Sequence, residues 1–332
     1  MKRCFMLLVV LINHVAISQS DVDRILEIGI DNAQTFSKDY FAPVGELLVN
    51  SATNGWYNTA KTKKLWHFEL GIVGNLSFIR EDKQSFIFRV QEYTDITLPN
   101  GETNQVVSTA LGTNQNDISV IIDEGQATQA TVILPNGLTD KAFKSLPSGY
   151  IQGSMGLTKS TEIKVRFLPK TGVRGAEIQL YGVGFQHEFT DWVYPLKRWP
   201  VRVSALLGYT NIKGFYEANS ITIIPGTDQE VQLTTNSWIL TSIASTKFPV
   251  LNFYGGLGYY FGATKADLLG SFEIQNGPLA SEVVINPIAV KTKTNGVKAT
   301  FGTSVKFGVF KANLDYSFQN YSNISLGLGF GW

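Results

Sequence analysis

The chain has 332 residues and a formal net charge of +1, with 17% charged and 12% aromatic residues. That balance excludes the basic excess of a nucleic-acid binder, and past the first ~20 residues no apolar run is long enough for a membrane-spanning helix. One cysteine, Cys4, excludes a disulfide framework and a thiolate metal site.

The first residues carry the pattern of a secretory signal. Lys2 and Arg3 precede an apolar stretch from Phe5 to Ile12, and Ala16-Ile17-Ser18 offers a small-x-small cleavage site. The expected plan is a signal peptide at 1–18, an N-terminal helical or plug segment at 19–62, and a β-barrel at 63–332. Ser20 with Asp23 marks a helix start, followed by Ile25, Leu26 and Ile28. A second short helix is expected from Asp39, with Pro43 in its first turn and Leu47, Leu48 and Val49 after it. A helix folded into a barrel mouth is preferred over a small periplasmic helix pair.

From Leu65 the period becomes two. Trp66, Phe68, Leu70, Ile72, Leu76 and Phe78 share one face; His67, Glu69, Gly71, Val73, Asn75 and Ser77 share the other. The alternation returns at 162–167, 201–210, 251–261, 296–307 and 310–319. In the closing run Ile324, Leu326, Leu328, Phe330 and Trp332 oppose Asn323, Ser325, Gly327, Gly329 and Gly331. Several runs reach the ~9–11 residues that a tilted strand needs to cross a bilayer, beyond the ~5–6 of a sandwich strand. Weaker candidates lie at 84–94, 149–158, 173–190, 228–246 and 267–275. The expected fold is all-β: a transmembrane, antiparallel up-and-down β-barrel of about 12 strands (roughly 10–14), with a short N-terminal helical segment. Lys247-Phe248-Pro249 and Gly308-Val309-Phe310 read as short periplasmic turns. Residues 211–229, 263–294 and the Thr-, Asn-, Gln- and Gly-rich 95–148 read as outward loops or in part a folded-in plug.

Trp192, Tyr194, Trp199, Tyr259 and Trp332 are read as an interface girdle. The lumen-facing candidates are His67, Glu69, Glu162, Lys164, Arg166, Arg202, Lys298, Lys306, Lys311 and Asp315. Their mixed sign points to ion pairs across a narrow or plugged bore, whereas a selective pore more often carries a ring of one sign. Glycine runs at 182–184 and 255–258 read as places where a strand bends or another backbone comes close. His67 and His187 have no serine elbow or metal-ligand spacing nearby, so no catalytic, cofactor or metal site is expected.

Three stretches, SATNGWYNTAKTKKLWHFELG at 51–71, FPVLNFYGGLGYY at 248–260 and DYSFQNYSNISLGLGF at 315–330, carry a resemblance. They are similar to signatures of an uncharacterised family of Bacteroidota outer-membrane β-barrels, a domain of unknown function (DUF6588), and loosely to fatty-acid-transporter-like barrels. The likeness covers the chain from about Tyr40 to its end. It implies an outer-membrane location with lipid as the surrounding partner, and it supplies no catalytic residue. Phe330 and Trp332 look like the C-terminal signal that barrel-assembly machinery reads in outer-membrane proteins. Two functions stand as expectations. One is a channel or transporter for a small hydrophobic molecule; the other is a structural or surface-interaction barrel with a filled lumen and binding loops at 95–148 and 263–294.

Overall fold

A computed structural model describes residues 19–137, 144–173, 176–192, 198–217, 224–275 and 281–332. The expected signal peptide and Tyr194 lie outside the described residues. Two helices come first, α1 (Gln19–Glu27) and α2 (Ile30–Ala52), then strand β1 (Phe68–Phe78). An excursion follows with β2 (Ser85–Arg89), β3 (Ile96–Thr97), β4 (Asn104–Ser108), β5 (Ser119–Ile122) and β6 (Ala130–Ile133). The chain then continues through β7 (Ser145–Gly156), β8 (Thr161–Val173), β9 (Ala176–Glu188), β10 (Val201–Glu217), β11 (Glu230–Thr246) and β12 (Leu251–Leu269). A hairpin of β13 (Ser271–Gln275) and β14 (Ser281–Ile285) precedes β15 (Ile288–Phe307), β16 (Phe310–Phe318) and β17 (Asn323–Gly331).

Ten of these strands, β1, β7 to β12 and β15 to β17, close into an antiparallel barrel. Closure runs through β1, which pairs β7 on one side and β17 on the other, with Ile72 opposite Leu328 and Gly71 opposite Gly329. Closure gives each barrel strand a hydrogen-bonded neighbour on both sides, which removes the free edge strand of an open sheet. The count is ten and not twelve because two alternating segments join other sheets. The segment at 84–94 contributes β2, paired with β4, and that at 267–275 finishes β12 and forms β13, paired with β14. Period-two patterning reports a sheet with two unlike faces; it does not say which sheet.

The predicted faces hold along the walls. On β17 Leu328 is 60% exposed on the outside while Ser325 is fully buried on the inside. β1 starts at Phe68 and not at Leu65, because Trp66 sits in the left-handed region (φ 62°) and breaks the extended run. Strands β10, β11, β12 and β15 have 17 to 20 residues, whereas β16 and β17 have 9 each. The barrel therefore has one high rim and one low rim. Residues of the 79–137 excursion fold over the mouth, and Phe88, Val107, Val120 and Leu134 form one apolar cluster with Ile28, Phe36, Tyr40 and Phe272.

The helical segment departs from expectation. In place of two short helices meeting near Asp39, α2 runs unbroken for 23 residues, with Pro43 in its interior. Such a proline forfeits one helical hydrogen bond. Burial of Phe36, Tyr40, Leu47, Val49 and Ala52 offsets the loss, and Pro43's carbonyl accepts a bond from Tyr321 Oη at 3.2 Å.

Candidate functional site

The bore of the barrel is occupied by α2 and the extended segment after it, and the contacts can be followed from one end to the other. At the long-loop end Gln34 exchanges hydrogen bonds with the main chain of Ala289 (2.7 and 3.0 Å). Deeper in, Thr264 Oγ1 donates to Gly45's carbonyl at 3.0 Å and Ser237 Oγ to Val49's at 3.1 Å. At the short-turn end Thr62 N–H donates to Glu188 Oε2 at 3.0 Å and Lys63 N–H to Glu162 Oε2 at 2.9 Å. The segment thus threads the lumen along its length.

The tightest part lies where α2 ends. A helix leaves its last carbonyls without partners and carries partial negative charge there, and α2 has no basic residue in its own last turn. The wall supplies the cations. Arg166 is fully buried; its Nη1 donates to Ala52's carbonyl (3.1 Å), Nη2 to Asn54's (2.7 Å) and Nε to Gln152 Oε1 (2.9 Å). Lys298 Nζ donates to Thr53's carbonyl (3.0 Å) and Asn54 Oδ1 (2.6 Å), and Tyr150 Oη donates to Asn54's carbonyl (2.7 Å). The guanidinium also lies 3.5 Å from the ring centre of Trp56 and 4.4 Å from that of Tyr150. Cation–π attraction of this kind strengthens when water is excluded. Apart from Arg166 Nε, which holds the guanidinium to the wall through Gln152, each of these donors is aimed at the same turn of the plug.

Glycines make the fit possible at two places. Gly55 has φ +69°, a conformation that ends the helix run cheaply only without a Cβ, and an added Cβ would meet Val73 and Tyr150 at 2.6 Å. On the wall, a Cβ at Gly184 or Gly208 would lie 2.7 Å from the Trp56 ring. The run at 182–184 is thus a seat for a plug side chain, which deepens the expected close approach.

Nearer the short turns the charges pair. Glu162 meets Lys164 at 3.0 Å and Lys63 of the plug at 3.4 Å; Lys63 also reaches Glu69 (3.4 Å), which lies 3.8 Å from Lys311. Lys311 Nζ donates to Asn58 Oδ1 at 2.6 Å, and Arg202 pairs with Glu188 at 2.7 Å. Asp315 accepts a bond from Tyr254 Oη at 2.9 Å.

Eight of the ten inward candidates, Glu69, Glu162, Lys164, Arg166, Arg202, Lys298, Lys311 and Asp315, therefore face the plugged bore. Two do not. His67 is exposed in the link before β1, its Nδ1 3.2 Å from Leu65's carbonyl, because the chain turns at Trp66. Lys306 lies on the inward face of β15, opposite Lys311, but is exposed because it stands beside the turn at Gly308, past the end of the filled bore. Sequence reasoning missed Asn54, Trp56, Lys63 and Glu188. The Asn54-Gly55 pair was the available signal, as a helix stop.

On the outside, Trp192 and Trp199 are exposed near the short turns, and Trp332 stacks on Phe68 at 6.2 Å and lies 5.4 Å from Phe330. Tyr259 is also outward, but not at a strand end, since β12 continues to Leu269. His187 Nδ1 lies 2.8 Å from Thr161 Oγ1 with its ring 5.0 Å from Trp192's, while Glu188 turns inward to Arg202. Among the described residues no group of three His, Cys, Asp or Glu side chains is placed to hold a metal ion.

A model of the family of unknown function DUF6588 matches residues 1–332. The chain belongs to that family. No curated protein sequence matches it. Among solved structures, this DUF6588 member is similar to the outer membrane protease OmpT of Escherichia coli, with 7% identity, a TM-score of 0.34, and coverage of 82% of this chain and 100% of that one. It is similar to the translocator domain of the autotransporter NalP of Neisseria meningitidis, with 11% identity, a TM-score of 0.27, and coverage of 86% and 93%. A FadL homologue of Pseudomonas aeruginosa gives 11% identity, a TM-score of 0.22, and coverage of 89% and 96%. Likenesses this distant carry no function across, and the barrel rests on its own ladder of strands.

Proposed function

We propose that this DUF6588 protein is an outer-membrane β-barrel plugged by its own N-terminal segment, acting as an anchored platform for its long-loop cap and not as an open conduit. The observation that carries the reading is the burial of inward side chains around the wall: Ser77, Tyr150, Arg166, Gln186, Ser204 and Ser317 are at most 1% exposed. A water-filled bore leaves such polar groups wet, and a conduit for an apolar molecule would present mainly apolar walls. That burial favours a structural or surface-interaction barrel over a transporter of a small hydrophobic molecule.

The outer face supports the membrane assignment. Phe253, Leu257, Tyr259 and Phe261 on β12, and Leu326, Leu328 and Phe330 on β17, stand exposed without charge between them. Water would penalise such a continuous apolar band; hydrocarbon would not. Short turns face the periplasm and long loops the exterior in such barrels, so the cap would stand outside the cell and Phe330 and Trp332 on the periplasmic side, where assembly machinery would read them. The cap carries an open cleft of about 370 Å³ lined by residues that include Tyr93, Asp95, Asp123 and Glu124, a surface on which binding loops can act.

Single-channel recording in planar bilayers tests this. The full-length protein is expected to show no stable unit conductance, and a variant lacking residues 19–62 to show a steady one. A persistent open-pore conductance from the intact chain would return the reading to a channel.

A further inference from the structure

The outer wall carries a second pattern that the plugged lumen does not use. Tyr209, Trp238 and Phe261 occupy one hydrogen-bonded row across β10, β11 and β12, and the row continues to Asn295 on β15. Their rings touch in sequence: Tyr209 to Trp238 at 4.8 Å and Trp238 to Phe261 at 6.5 Å, nearly parallel at 11°. From Leu251 to Phe261 the outward residues of β12 cover ten steps, which at ~3.3 Å per residue and a ~40° tilt is about 25 Å, the height of a barrel's apolar band. The aromatic row therefore marks the upper boundary of the hydrocarbon.

Four residues farther along each of these strands lies another row: Lys213, Thr234, Lys265 and Lys291, again in register, with Lys293 opposite Ala263 just below. At that spacing the lysines stand about 10 Å above the ring row, at headgroup depth. Lys265, Lys291 and Lys293 are exposed and Lys213 is half-buried. Among the described residues none of the four forms an ion pair. The outward acids on the neighbouring strands sit closer to the rim: Asp267 two residues past Lys265, Glu230 four past Thr234, and Glu177, engaged by Lys170. Lys265 and Lys291 are direct cross-strand partners. Like charges placed directly opposite destabilise a sheet, so the arrangement asks for an external anion. Lysines at the membrane surface gain about 1 kcal/mol each from anionic lipid.

We infer that Lys213, Lys265, Lys291 and Lys293 form a binding site for phosphorylated lipid headgroups in the leaflet at the long-loop end, with the Tyr209-Trp238-Phe261 row seating the acyl chains beneath. The inference rests on the membrane reading of the barrel. It commits to phosphate carried on a lipid, which the rings and the apolar band hold in place, over free phosphate.

The experiment uses the full-length protein in detergent micelles, offered bis-phosphorylated lipid A or the same lipid with its phosphates removed, with retained lipid read by native mass spectrometry. Wild type is expected to retain the phosphorylated lipid at least about tenfold better than the dephosphorylated one. The variant Lys213→Gln/Lys265→Gln/Lys291→Gln/Lys293→Gln should lose that preference, and a control at the short-turn end, Lys64→Gln/Lys159→Gln, should keep it. Equal retention of the two lipids by wild type, an undiminished preference in the quadruple variant, or displacement of the lipid by millimolar inorganic phosphate overturns the proposal. The single variant Lys291→Gln gives a second readout that needs no quadruple change. It should raise the melting temperature in phosphate-free detergent and lower it with phosphorylated lipid A; a shift of the same sign in both sinks the site. Failure of the membrane reading would be distinct, because wild type would then stay soluble without detergent and fail to float with phosphatidylcholine vesicles.

Discussion

Arg166 concentrates the logic of the plug in one side chain. A buried guanidinium is tolerated when its donors are used and its charge is met by oppositely signed groups. Here the groups are main-chain carbonyls at a helix end, an amide oxygen and two ring faces. Replacing it by leucine leaves those carbonyls facing an apolar wall, and a loss of about 3–5 kcal/mol is expected. Arg166→Lys should recover only part of it, since a single ammonium cannot copy the fork. Denaturant unfolding of the detergent-solubilised protein measures both; a leucine variant as stable as wild type would remove Arg166 from the argument. From the sequence Arg166 and Lys298 were legible as inward cations. Their partners were not, because Ala52, Thr53 and Asn54 lie more than a hundred residues away and offer carbonyls that every residue has.

At the scale of the element, the segment from α2 to Lys63 is a plug that precedes its own wall in the chain. Its lower half is held by charge as well as by fit: Lys63 bridges Glu162 and Glu69, which belong to different strands. If that bridge couples plug to wall, Lys63→Met and Glu162→Gln should not add. A double-mutant cycle on denaturant stability is expected to show a coupling of about 1 kcal/mol or more, whereas strict additivity would make the contact incidental. The cost of breaking one partner arises because the other charge is left buried. The helix itself was only half legible. Its apolar residues could be read, but Pro43 was placed in the first turn of a separate helix from Asp39, whereas α2 runs through it because the lumen wall and Tyr321 hold the turn from outside. Local propensity was overridden by tertiary packing.

Across the whole molecule the direction of the plug has a consequence. α1 packs with the cap at the long-loop end and the chain leaves the bore at the short-turn end, so before β1 begins the segment runs from the long loops to the short turns, which in the proposed orientation is from outside to inside. An epitope inserted at Ser20 should be stained on intact cells, and one placed after Trp332 should be stained only once the outer membrane is opened; the reverse pattern would invert the proposed orientation. The alternation of large apolar with small or polar residues was enough by itself to determine a wall of strands with unlike faces, since successive side chains of a strand must point to opposite sides. It also placed most of the inward charges. What only the tertiary structure decided was how many of the alternating segments enter the barrel, which partners the inward charges meet, and that the bore is filled. Those depend on contacts between residues far apart in the chain, and period-two spacing carries no information about which strand, helix turn or sheet will stand opposite.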